Sequence, residues 1–140
     1  MSNEAVYSPG LEGVIAGETA LSTVSEGLCY RGYLVTDLAE KCCFDEVAYL
    51  LLHGKLPTET ELGAFRQRIL AARQVPESLR KLFKAMPRWT PAMDALRTSV
   101  SVLSHFDQDV SDNSREANLR KAERLLFQIP LVVADHHRIS

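Results

Sequence analysis

The sequence of 140 residues is short of the features that mark several functional classes, and each gap narrows the reading. It has no excess of one charge. Sixteen basic and 18 acidic residues leave a net charge of −2 with both signs interspersed, so there is no basic face or arm of the kind that binds nucleic acid. It has no long hydrophobic run. The longest mainly apolar stretch, Leu125 to Ala134, is broken by Gln128 and Pro130 and is about half of the ~20 residues a membrane-spanning helix needs. The opening MSNEAVYSPG lacks a basic region followed by an apolar core, so no signal peptide is expected. Cysteine is scarce. Cys29, Cys42 and Cys43 are an odd number with an adjacent pair, a poor disulfide framework, and a reduced, cytoplasmic chain is the natural expectation. Internal repeats and low-complexity segments are absent.

Catalytic and metal motifs are equally thin. The spacings Gly10-Leu-Glu-Gly13 and Gly13-Val-Ile-Ala-Gly17 match neither a phosphate-binding loop nor a dinucleotide fingerprint, and no Gly-Lys-Ser/Thr follows. Four histidines are scattered without ligand spacing, so no metal site is expected. His136 and His137 follow Asp135, which raises an Asp-oriented base or a metal pair. Adjacent helical residues point about 100° apart, however, and cannot share a face. His53 and His105 each fall at a helix end, where an imidazolium can meet exposed carbonyls. Cys42-Cys43 lacks the spacer of a redox dithiol and reads as two small hydrophobes at a helix entry. Arg31 can steer an anionic ligand or pair with Asp37 or Glu40, and Arg97 raises the same ambiguity.

What is present is a change of pattern along the chain. Residues 1–9 read as a tail and residues 10–35 as a small β-hairpin or meander. The latter is built from Gly13-Val-Ile-Ala16, Ala20-Leu-Ser-Thr-Val24 and Leu28-Cys-Tyr30, with Ser25-Glu26-Gly27 as the hairpin loop. From residue 36 to 140 the period is helical. Thr36 and Asp37 are expected to cap a short turn through Lys41. Phe44, Val47, Ala48, Leu51 and Leu52 make the inner face of a helix that stops at His53-Gly54. Thr58-Glu-Thr-Glu61 is a capping box opening a helix with Leu62, Phe65, Ile69 and Ala72 inward and Arg66, Arg68 and Arg73 outward. A third helix starts near Pro76, and a fourth starts with Thr90 as cap and Pro91 at the first helical position. A fifth runs from Arg115 to Ile139 after a cap at Ser111 or Ser114, with a kink expected at Pro130. The fourth helix carries two stripes, Met93, Leu96, Val100 and Leu103 on one side, Ala92, Ala95, Ser99, Val102 and Phe106 on the other. Leu125 to Ala134 is apolar nearly all round. Both helices are therefore expected to pack against something beyond the chain.

The order of these segments resembles the citrate synthase and 2-methylcitrate synthase family. The segments that carry the likeness are Gly10-Leu-Glu-Gly-Val-Ile-Ala-Gly-Glu-Thr-Ala-Leu-Ser22, Leu28-Cys-Tyr-Arg-Gly-Tyr33 and Phe44-Asp-Glu-Val-Ala-Tyr-Leu-Leu-Leu-His-Gly-Lys-Leu-Pro57. To these add Pro91-Ala-Met-Asp-Ala-Leu-Arg-Thr-Ser-Val100 and Ile129-Pro-Leu-Val-Val-Ala-Asp-His-His-Arg-Ile139. The resemblance implies a mainly α fold, the helices of the family's large domain preceded by the small β region, and a homodimer with an interface of antiparallel helices. Met93, Leu96, Val100, Leu103, Leu125, Ile129, Val132 and Val133 are the residues expected there. It also implies condensation of acetyl-CoA or propionyl-CoA with oxaloacetate, giving citrate or 2-methylcitrate and CoA. Both thioesters enter as substrates of the parent enzyme, and no permanently bound cofactor is expected. In the family an aspartate takes a proton from the thioester methyl, histidines act at the enol and at the oxaloacetate carbonyl, and arginines hold the carboxylates. Those residues sit in downstream segments, and the His-Gly-Gly and Gly-x-Gly-His-Arg motifs are absent from residues 1–140. The expectation is thus an N-terminal portion of such an enzyme that carries no catalytic residue and is inactive alone. The alternative is a naturally short dimerisation or regulatory module of the same fold. Neither nucleic acid nor membrane is an expected partner.

Overall fold

The computed structural model describes Gly10, residues 17–24 and residues 27–139. Among them are three short strands followed by six helices, a mainly α fold. The strands β1 (Ser22–Thr23), β2 (Cys29–Tyr30) and β3 (Tyr33–Leu34) form an antiparallel meander in the order β1-β2-β3. β1 and β2 lie within expected pieces, and Gly13–Ala16 falls outside the described residues. β3 is a strand that the sequence reading leaves out. Tyr30 pairs with Tyr33, so Arg31 and Gly32 are a two-residue hairpin turn, and both have positive φ, 51° and 87°. That is the backbone such a turn demands of its two central residues. It comes free at Gly32 and costs something at Arg31.

The helices are α1 (Val35–Lys41), α2 (Phe44–His53), α3 (Glu59–Ala71), α4 (Glu77–Ala85), α5 (Ala92–Ser104) and α6 (Arg115–Ile139). Two expected caps move. α1 is a helix of seven residues that begins at Val35, so Thr36 and Asp37 lie inside its first turn, and Asp37 instead binds Lys41 at 2.6 Å. At α5, Pro91 is itself the N-cap, while the Thr90 hydroxyl donates to the carbonyl of Pro87 at 2.7 Å. The other boundaries follow their signals. Gly54 closes α2 at φ 85°, a left-handed position that a side chain resists. Thr58 and Glu61 form a reciprocal capping box. Ser114 accepts from the N–H of Ala117 at 3.2 Å to open α6. α6 is helical without interruption through Pro130.

One face is turned from its expected position. The buried residues of α2 are Ala48, Tyr49 and Leu50, whereas Phe44 is 66% exposed. The reason is tertiary: Tyr49 inserts edge-on against Phe65 of α3, with ring centroids 5.4 Å apart, and pulls that face inward.

Two cores result. One gathers Ala48 and Tyr49 from α2 with Phe65 and Ile69 from α3, and Leu126 and Phe127 of α6 pack against it. The other gathers Val75, Leu79, Phe83, Leu103 and Val132, with Leu96, Val102, Leu125 and Leu131 around it. α6 packs against α3, α4 and α5 and serves both cores from different sides. Its apolar circumference is therefore partly accounted for within the chain, by two neighbours rather than one.

Candidate functional site

The candidate chemistry-bearing side chains are those of Asp135, His136, His137, His53, His105, Arg31 and Arg97. The fold disperses them. The Asp135 carboxylate accepts from Arg80 Nε at 2.8 Å in an ion pair. His136 lies edge-on to Phe83 at 5.4 Å, and His137 is exposed. Arg97 binds Asp94 one turn back at 2.9 Å on the helix surface. His105 is the exposed C-cap residue of α5. Arg31 meets neither Asp37 nor Glu40. Its guanidinium donates to the carbonyls of Ala20 at 3.3 Å and Leu51 at 3.2 Å, tying the sheet to the C-terminal turn of α2. Among the described residues, no group of three His, Cys, Asp or Glu side chains is placed to hold a metal ion. All three cysteines are free.

His53 departs from its expected capping role in a way the sequence reading misses. Its Nε2 lies 3.1 Å from Oε1 of Glu123, and its ring stacks on Tyr49 at 4.2 Å. Glu123 also receives Arg68 at two points, Nε to Oε2 at 2.8 Å and Nη2 to Oε1 at 3.0 Å. One carboxylate thus joins α2, α3 and α6. Burial alone would raise its pKa, but the hydrogen bonds and charge of Arg68, aided by His53, bring it below the ordinary glutamate value. A carboxylate held anionic with both oxygens occupied is a poor general base. Its role is to join helices. The signal was available: Glu123 stands four residues before Phe127, on the α6 stripe that faces α2 and α3, where an acid must find a cation.

The most developed apolar surface among the described residues runs along α5 and α6. Of the eight residues expected at an interface, Met93 is 73% and Val133 50% exposed, while Leu96, Val100, Leu125 and Ile129 are half-buried. Leu103 and Val132 are buried in the chain's own core. Between the helices lie a cavity of about 340 Å³ bordered by Met93, Leu96, Val133 and His137, and another of about 160 Å³ bordered by Val100, Phe106 and Leu125. This is an apolar trough with room for side chains from another helix.

Among the described residues, no helix is long and apolar enough to cross a membrane. The family model described as "Citrate synthase, C-terminal domain" matches residues 10–140. The chain is 40% identical over 134 residues to a 2-methylcitrate synthase of Shewanella oneidensis, covering 94% of this chain and 35% of that one. It is 38% identical over 142 residues to a citrate/2-methylcitrate synthase of Bacillus subtilis, covering 99% of this chain and 38% of that one. The structure superposes on the citrate synthase of Pyrobaculum aerophilum with a TM-score of 0.86 at 29% identity, over 96% of this chain and 38% of that one. The Thermoplasma acidophilum enzyme, solved with carboxymethyl coenzyme A and oxaloacetate, gives 0.79 at 25% identity over 91% and 35%. The chain thus spans little more than a third of the length of these relatives.

Proposed function

Because this chain belongs to the citrate synthase family, we propose that it is the amino-terminal, scaffolding portion of an enzyme that condenses acetyl-CoA or propionyl-CoA with oxaloacetate. The amino-terminal placement rests on the order of the segments quoted above. In this reading its contribution is architectural. α5 and α6 provide the trough that a second copy covers, making a homodimer, and the groups that touch substrate come from outside these residues. The observation that carries the reading is the combination of 38–40% identity to 2-methylcitrate and citrate/2-methylcitrate synthases with a fold in which His53, Glu123 and Asp135 make structural contacts. Free cysteines fit a reducing compartment, and we place the protein in the cytoplasm.

CoA release from either thioester with oxaloacetate tests this directly. The 140-residue chain is assayed alone and as a chimera replacing the matching residues of the Bacillus subtilis relative. The expected result is turnover by the chimera and none by the chain alone. Turnover by the chain alone overturns the assignment of chemistry elsewhere. A folded but inactive chimera favours a short assembly module of the same fold.

A further inference from the structure

We draw no further inference here: the strongest candidate, the apolar cavity of about 190 Å³ between α3 and α6 whose lining includes Ile69, Leu70 and Phe127, carries nothing because nothing in the structure shows what covers it.

Discussion

Glu123 in the first half of α6 and Arg68 on α3 form a two-point ion pair at 2.8 and 3.0 Å, although they are 55 residues apart in sequence. The carboxylate is only 9% exposed while the arginine side chain is 50% exposed, so the pair is half in solvent and its Coulombic part is screened on one side. Removing the charge leaves Arg68 free to turn outward but strands part of a buried polar cluster with His53. Glu123→Gln should therefore lose about 1–3 kcal/mol of stability, measured by urea unfolding, and an Arg68→Ala, Glu123→Gln double variant should lose less than the sum of the singles.

Glu61 gives the clearest pH dependence. Its carboxylate binds Lys55 Nζ at 2.6 Å and accepts from the backbone N–H and hydroxyl of Thr58 at 2.8 and 3.0 Å. The Lys55 hydrogen bond, followed by the two from Thr58, lowers its pKa from 4.5 to about 2. A depressed carboxylate pKa favours the folded state above the unfolded value, and the contribution is lost as pH falls from about 4.5 towards 2. Glu61→Gln should flatten the acid limb of a stability–pH curve in that window. Thr58→Ala removes the reciprocal hydroxyl cap and should cost about 1 kcal/mol at neutral pH.

Phe65 and Phe44 separate core from surface. Both belong to helical stripes that look apolar in sequence, yet Phe65 is fully buried between Tyr49 and Ile69 while Phe44 is 66% exposed. Phe65→Ala should cost about 3–5 kcal/mol. Phe44→Ala forfeits only an edge contact to Phe127 and should cost less than about 1 kcal/mol. Thermal unfolding of the two variants measures the contrast.

The same pair shows where the sequence was readable. The α3 capping box, the glycine stop at Gly54 and the start of α6 after Ser114 were legible because each is a local hydrogen-bonding rule with its partners within a few residues. The face of α2 was not, since periodicity alone cannot say that Tyr49 will be claimed by Phe65 across a helix interface. β3 was missed because two residues carry too little pattern, although Arg31-Gly32 between aromatic pairs was a usable turn signal. The Glu123 cluster left only one trace in the sequence, Glu123 four residues before Phe127, since the packing of α6 on α2 and α3 is what brings His53, Arg68 and Glu123 together. Part of the apolar surface of α6 is used within the chain, because this long helix serves two cores at once.

That distinction fixes how the proposed dimer should be tested. A charge placed on an exposed position of the trough must weaken association without unfolding the chain, whereas a charge at a buried position must unfold it. Met93 and Val133 are exposed, and Val132, the adjacent residue on α6, is 1% exposed. Met93→Asp with Val133→Asp should shift sedimentation at micromolar concentration from dimer to monomer, with far-ultraviolet circular dichroism unchanged. Val132→Asp should lose helical signal, because an uncompensated carboxylate in the second core costs several kcal/mol. If the double variant remains dimeric, the trough between α5 and α6 is not the contact, and the exposed Met93 and Val133 are surface residues without a partner. If the unaltered chain sediments as a monomer across that range, the homodimer reading itself fails for these residues.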